Sequence, residues 1–156
     1  MEPRDRSTWD EAYLIDALYW SERSHDVHTQ CGCVLVAPDN TPLSHGYNGH
    51  IRGVPEGILP LTRPEKYPWM IHSEHNAILN CARQGKSTLG STAYVTGEPC
   101  INCYQYMYQC GVVRIVYSNF NTPKMLDNEE YDDNVALFKE AIGRKIVIDF
   151  IHARGS

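Results

Sequence analysis

Apolar positions near the start of the chain recur at helical spacing. Trp9, Tyr13, Leu14, Ala17 and Leu18 fall on one stripe and predict a first helix over 8–23. The pattern then switches. Residues 31–37 read CGCVLVA, a continuous β-rich run, and Pro38-Asp39-Asn40 is a turn signal before a second strand over 43–47, so the two are expected to form a hairpin. Across 48–69 the periodicity is lost, and Pro55, Pro60, Pro64 and Pro68 punctuate a long connection. A connection of that length in a compact domain is usually functional. The second half alternates. It predicts a helix over 73–83 ending near Gly85, a strand over 92–96 and a helix over 100–110 stopped by Gly111. A strand over 112–117, a helix over 129–142 and a strand over 145–151 follow. Strands alternating with helices give an α/β sandwich around a central sheet. No repeat or low-complexity block interrupts the pattern, so residues 1–156 read as a single domain.

Composition narrows the partners. Hydrophobic residues make up 42% of the chain, as in a globular protein, and the formal charge is -5. Binders of long nucleic acid usually carry a basic surface. The balance therefore argues against a large polyanion, but a single nucleotide needs only a local cluster of Arg and Lys. The first ten residues are mostly polar, and no apolar run approaches the roughly 20 residues of a membrane span. The expectation is a soluble cytoplasmic protein. There, six cysteines read as ligands or core residues and not as disulfides.

Two helix starts carry the chemistry. The first is His72-Ser73-Glu74 and the second is Pro99-Cys100-Ile101-Asn102-Cys103. Cys100 and Cys103 are three apart and share a helical face. With His72 they supply three zinc ligands and leave a fourth position for water, the arrangement of a catalytic site. A closed structural knot would require a second C-x-x-C pair and would have no use for Glu74. His72 and Glu74 are two apart and do not share a helical side, but both can converge on a site that faces the end of the helix. H-x-E followed by P-C-x-x-C is the zinc deaminase signature, in which the glutamate is not a ligand. Cys81 and Cys110 read as core. A second metal site pairing Cys31 or Cys33 with His45 or His50 is the less favoured alternative to simple packing.

The stretches His72 to Ile78 and Glu98 to Cys103 resemble the deoxycytidylate (dCMP) deaminases, the phage type in particular, within the zinc-dependent cytidine/deoxycytidylate deaminase superfamily. Gly46-Tyr47-Asn48-Gly49 is similar to that family's GYNG loop, and Arg23-Ser24 with Gln30-Cys31-Gly32 is similar to its first-helix exit. Ser73 stands where the family usually has Ala, and His75 where it usually has Leu. The segment 57–69 has no counterpart in the resemblance. The resemblance implies a three-layer α/β/α cytidine-deaminase-like fold with a five-stranded mixed sheet, and a homohexamer. It implies hydrolysis of dCMP to dUMP and ammonia, with Zn2+ on His72, Cys100 and Cys103 and with Glu74 as the proton shuttle. Asn48 is then expected at the sugar hydroxyl, Arg23 and Ser24 at the 5′-phosphate, and Phe120 against the base.

Members of the family are typically activated by dCTP and inhibited by dTTP, each carrying Mg2+. The long connection offers His50, Arg52, Arg63 and Lys66 as a positive set for such effectors, with Gly49 beside them. Two rivals stand beside this reading: a tRNA adenosine or polynucleotide cytidine deaminase, and a non-catalytic zinc scaffold. The acidic charge and the GYNG loop count against the first, and Glu74 against the second.

Overall fold

The computed structural model of the protein describes residues 1–120 and 129–153. Helix α1 spans Trp9–Ser21. Its start is fixed by a capping box: the Thr8 hydroxyl accepts from the Glu11 amide, and the Glu11 carboxylate accepts from the Thr8 amide, each at 3.1 Å. Strands β1 (Gly32–Val36) and β2 (Pro42–Tyr47) form the expected antiparallel hairpin. Helix α2 (Ser73–Gln84) ends at Gly85, whose φ of 69° suits a left-handed helix terminus. Strand β3 (Thr92–Val95), helix α3 (Ile101–Gln109) and strand β4 (Arg114–Tyr117) follow. Helix α4 (Glu129–Ile142) and strand β5 (Val147–Phe150) complete the described order.

The sheet order is β2-β1-β3-β4-β5. The pairs β2–β1 and β1–β3 are antiparallel, while β3–β4 and β4–β5 are parallel, so the sheet is mixed. Alternation along the strands divides the core between two faces. Val34, Val36, Tyr94 and Val116 pack with Tyr13, Leu14 and Ala17 of α1. Cys33, Leu35, Ala93, Val95 and Ile115 pack against side chains of α2, α3 and α4 on the other face. The result is the three-layer α/β/α architecture with five strands.

Two glycines let helices press directly on the hairpin. A Cβ at Gly32 would lie 1.9 Å from the Ala17 carbonyl oxygen, and one at Gly46 would lie 2.4 Å from the Ser73 carbonyl oxygen. Gly46 therefore sets how closely β2 approaches the first turn of α2. Among the described residues, no helix is long and apolar enough to cross a membrane.

Candidate metal centre and active site

The first turns of α2 and α3 meet on one face of the sheet. His72 is the N-cap of α2 and Cys100 is the N-cap of α3, both in extended backbone conformation. Cys103 lies one turn into α3. The His72 Nδ1 stands 3.4 Å from the Cys100 Sγ and 3.4 Å from the Cys103 Sγ. Among the described residues, these three form the group able to hold a metal ion, with ligand atoms within 4.8 Å of one another. Tetrahedral zinc with bonds of about 2.3 Å to sulfur and about 2.05 Å to nitrogen places such neighbours roughly 3.6 Å apart, so the donor set fits zinc.

The neighbouring Cys103 thiol and then the His72 ring hold Cys100 far below the usual thiol range, at about 4, against the cost of its burial. Cys103 is pushed up by the Cys100 sulfur and by burial. His72 is raised to about 9 by its hydrogen bond with Cys100 and by Glu74, against the effect of burial. Each helix N-terminus adds partial positive charge beside the sulfurs. The Cys103 amide lies 3.5 Å from the Cys100 Sγ.

Glu74 is buried in the first turn of α2, and its Oε1 accepts from the Ser73 hydroxyl at 2.5 Å. The departure from the family's usual Ala thus places a hydroxyl on the candidate proton shuttle. His72 and Glu74 converge although two apart, because the site faces the end of the helix and not its side.

The segment beside this centre brings together most of the residues expected to hold nucleotide. Asn48 is buried at the exit of β2. Its Oδ1 accepts from the Cys31 amide and its Nδ2 donates to the Thr29 carbonyl, both at 2.8 Å. Each end of the amide makes one such bond, which leaves a second lone pair and a second hydrogen for a ligand hydroxyl. The Ser24 hydroxyl donates to the Asn48 carbonyl at 2.8 Å, and the exposed Arg23 guanidinium sits 6.0 Å from the centroid of the Tyr47 ring. Gly49 and Ile71 exchange backbone hydrogen bonds of 3.0 and 2.8 Å, so the loop holding Asn48 is stitched to the residue before His72. Asn76 adds a bond from its side chain to the Tyr47 carbonyl at 2.8 Å.

Other expected residues lie elsewhere. Phe120 packs on the α1-side core and is not brought to the metal centre, the ordinary fate of a Phe beside an apolar face. Lys66, expected among the effector cations, is buried against Asp26 with Nζ–Oδ2 at 2.7 Å. Arg52 donates to the Asn80 side chain on α2. His50 packs its ring 4.5 Å from that of His25, and its Nε2 lies 3.0 Å from the Pro60 carbonyl oxygen. His45 stacks on Trp20 at 3.6 Å between centroids, while Cys33 and Cys81 are core residues. Neither Cys31 nor Cys33 joins a second group of metal donors among the described residues. The Asp26–Lys66 pair itself gives no local signal in the sequence, because its members are 40 residues apart.

The family profile described as the cytidine and deoxycytidylate deaminase zinc-binding region matches residues 7–119. The chain is 32% identical to the deoxycytidylate deaminase of Mus musculus, over 94% of this chain and 88% of that one. It is 30% identical to the deoxycytidylate deaminase of Mycobacterium phage D29, over 72% of this chain and 95% of that one. The crystal structure of the dCMP deaminase of cyanophage S-TIM5, in complex with dCMP and dUMP, superposes with a TM-score of 0.74 at 23% identity. That match covers 95% of this chain and 100% of the other and supports the shared fold.

Proposed function

The chain belongs to the zinc-binding cytidine and deoxycytidylate deaminase family, and from that premise we propose that it hydrolyses dCMP to dUMP and ammonia. The observation that carries the reading is the convergence of His72, Cys100 and Cys103 beside a buried Glu74. Two relatives over most of their length bear the dCMP-specific name, which supports this substrate over a polynucleotide or a tRNA.

His72, Cys100 and Cys103 would hold the zinc. When bound, zinc lowers the pKa of the attacking water, so that hydroxide is available near neutral pH. Glu74 accepts the water's proton and delivers it to N3 of the cytosine as oxygen adds to C4. The same carboxylate then takes the proton of the new C4 hydroxyl and passes it to the amine, so that the C4 carbonyl forms as the C–N bond breaks and ammonia leaves. A group that acts as base and then as acid must keep its oxygens off the metal. The Ser73 hydroxyl fixes one carboxylate oxygen and leaves the other for the proton. Asn48 binds the sugar hydroxyl, and Arg23 with Ser24 binds the 5′-phosphate. Incubating the protein with dCMP, CMP, cytidine and a single-stranded oligonucleotide tests the assignment by loss of cytosine absorbance. Preferential turnover of dCMP is expected, and preference for the oligonucleotide would replace the reading.

Regulation belongs to the same proposal. Activation by dCTP and inhibition by dTTP, each with Mg2+, follow from the family, as does the homohexamer, and the cytoplasmic setting is proposed from the sequence pattern. What supports an effector site in the long loop is its remaining cationic and polar side chains, His50 and Arg52, beside Gly49 at the stitched base and without Lys66. The loop starts at Asn48, so a ligand that binds one loop arrangement better than another would shift substrate affinity. A dCMP saturation curve moved by neither triphosphate at millimolar concentration would reject this part alone.

A further inference from the structure

Asp26 and Lys66 are both charged and both buried, with side chains only 3% exposed. Burying two charges is costly, so the geometry around them has to compensate. Asp26 sits just after α1, and Lys66 lies in the long loop, in a turn closed by Lys66 N–H to Thr62 at 3.0 Å and by Trp69 and Met70 N–H to Lys66, each at 2.9 Å. The ammonium reaches both carboxylate oxygens, at 2.9 Å to Oδ1 and 2.7 Å to Oδ2. The same carboxylate accepts from the His28 amide at 2.8 Å and from the Thr29 amide at 3.2 Å.

Thr29 is the residue whose carbonyl takes the Asn48 amide hydrogen. A second path runs from the Asp26 amide to the Ser24 hydroxyl at 3.2 Å, and from there to the Asn48 carbonyl. The first path leads from the ion pair to the Asn48 side-chain amide, and the second from the Asp26 backbone to the Asn48 backbone carbonyl, so both end on one residue, the candidate sugar contact. We propose that Asp26 and Lys66 are positioning residues for the nucleotide: a latch that fastens the long loop to the α1 exit and thereby fixes the orientation of the Asn48 amide. The proposal rests on the dCMP reading above. The metal side is held independently, because Gly49 and Ile71 pair through their backbones. The latch therefore governs nucleotide binding and leaves the proton chemistry at Glu74 alone.

The test compares wild type, Lys66→Met and the double variant Asp26→Asn/Lys66→Met on two substrates, dCMP and 2′,3′-dideoxycytidylate. Lys66→Met strands a buried carboxylate, and the double variant removes both charges so that the fold does not carry an unpaired one. The expected result is a KM for dCMP raised roughly 3- to 10-fold, the worth of about one hydrogen bond, with kcat within about twofold and zinc content unchanged. The dideoxynucleotide lacks the hydroxyl that Asn48 would hold, so its KM should be the same in the variants as in wild type. A merely structural role would raise both KM values together or lower only the thermal midpoint, and either result overturns the latch. Wild-type turnover of dCMP is the internal control: with it intact, an unchanged KM in the double variant removes the latch and leaves the proposed function standing.

Discussion

The two ends of the sheet carry polar clusters built on opposite logic. At the end where β4 begins, Arg114 donates to both oxygens of Asp10, at 2.8 and 2.9 Å, and to Asp149 at 2.9 Å. The Tyr94 hydroxyl completes the set with a 2.7 Å bond to Asp10. Cation meets anion, and the cluster ties α1 to β3, β4 and β5. At the end where β3 finishes, His72, Cys100, Cys103 and Glu74 gather instead. All four offer an electron pair once their protons leave. A cluster of matched charges is explained by the fold it holds together. A cluster of donors crowded at two helix starts is explained by a cation that is not part of the chain.

That contrast can be broken from either side. The largest effect is expected from Cys103→Ala, which should lose zinc and deaminase activity together; a variant that keeps a full complement of zinc and still turns over would show that the ligand set is wrong. Next comes the nucleotide side. Deoxycytidine lacks the phosphate assigned to Arg23 and Ser24, and a charge-assisted contact contributes about 1.5–3 kcal/mol, so its kcat/KM should fall roughly 10- to 150-fold below that of dCMP. Equal use of the two would discard the phosphate site. At the opposite end, Arg114→Met should destabilise the fold by roughly 1–3 kcal/mol in denaturant titration, since the cluster is partly exposed, while kcat/KM stays near wild type.

The smallest effect is acid sensitivity. The Arg114 guanidinium and the Tyr94 hydroxyl hold the Asp10 carboxyl below its ordinary value of 3.8, against a smaller cost of burial. Burial alone would raise Asp26, but Lys66 and the His28 and Thr29 amides outweigh it and hold that carboxyl below 3.8 as well. A depressed carboxyl contributes stability that is fully present above its unfolded value and is lost as pH falls through the folded one. The contribution of these two carboxyls to stability should therefore be flat from neutral pH to about 5 and decline below about 4. In the double variant Asp26→Asn/Lys66→Met that decline should be shallower, and an unchanged slope would remove Asp26 from the account.

The metal-donor end was legible in the sequence because its parts are local. His72 with Glu74 and Cys100 with Cys103 each lie within one helical turn, and the apolar periods place both helix starts. The sandwich was legible for the same reason: strand and helix periods depend on neighbours in the chain. What escaped the sequence depends on distant partners. Arg114 and Asp10 are 104 residues apart, and Lys66 and Asp26 are 40 apart. A lone Lys in a proline-rich connection reads as a surface charge until the loop's return path is known. Phe120 is a similar case. Its place just after β4 was visible, but the face it turns toward is set by the packing of α1. Ser73 was visible as a departure from the family, and only the structure showed its hydroxyl on Glu74.

The measurement that bears most directly on the central claim is the zinc content and dCMP turnover of Glu74→Gln. The substitution keeps the size of the side chain and removes its ability to carry a proton. The account expects zinc to be retained at the wild-type level and dUMP formation to fall by at least ~10²-fold. Turnover near wild type would contradict it, because the proton would then be moving through another group. Loss of the zinc would contradict it as well, because Glu74 would then be a ligand and not the shuttle.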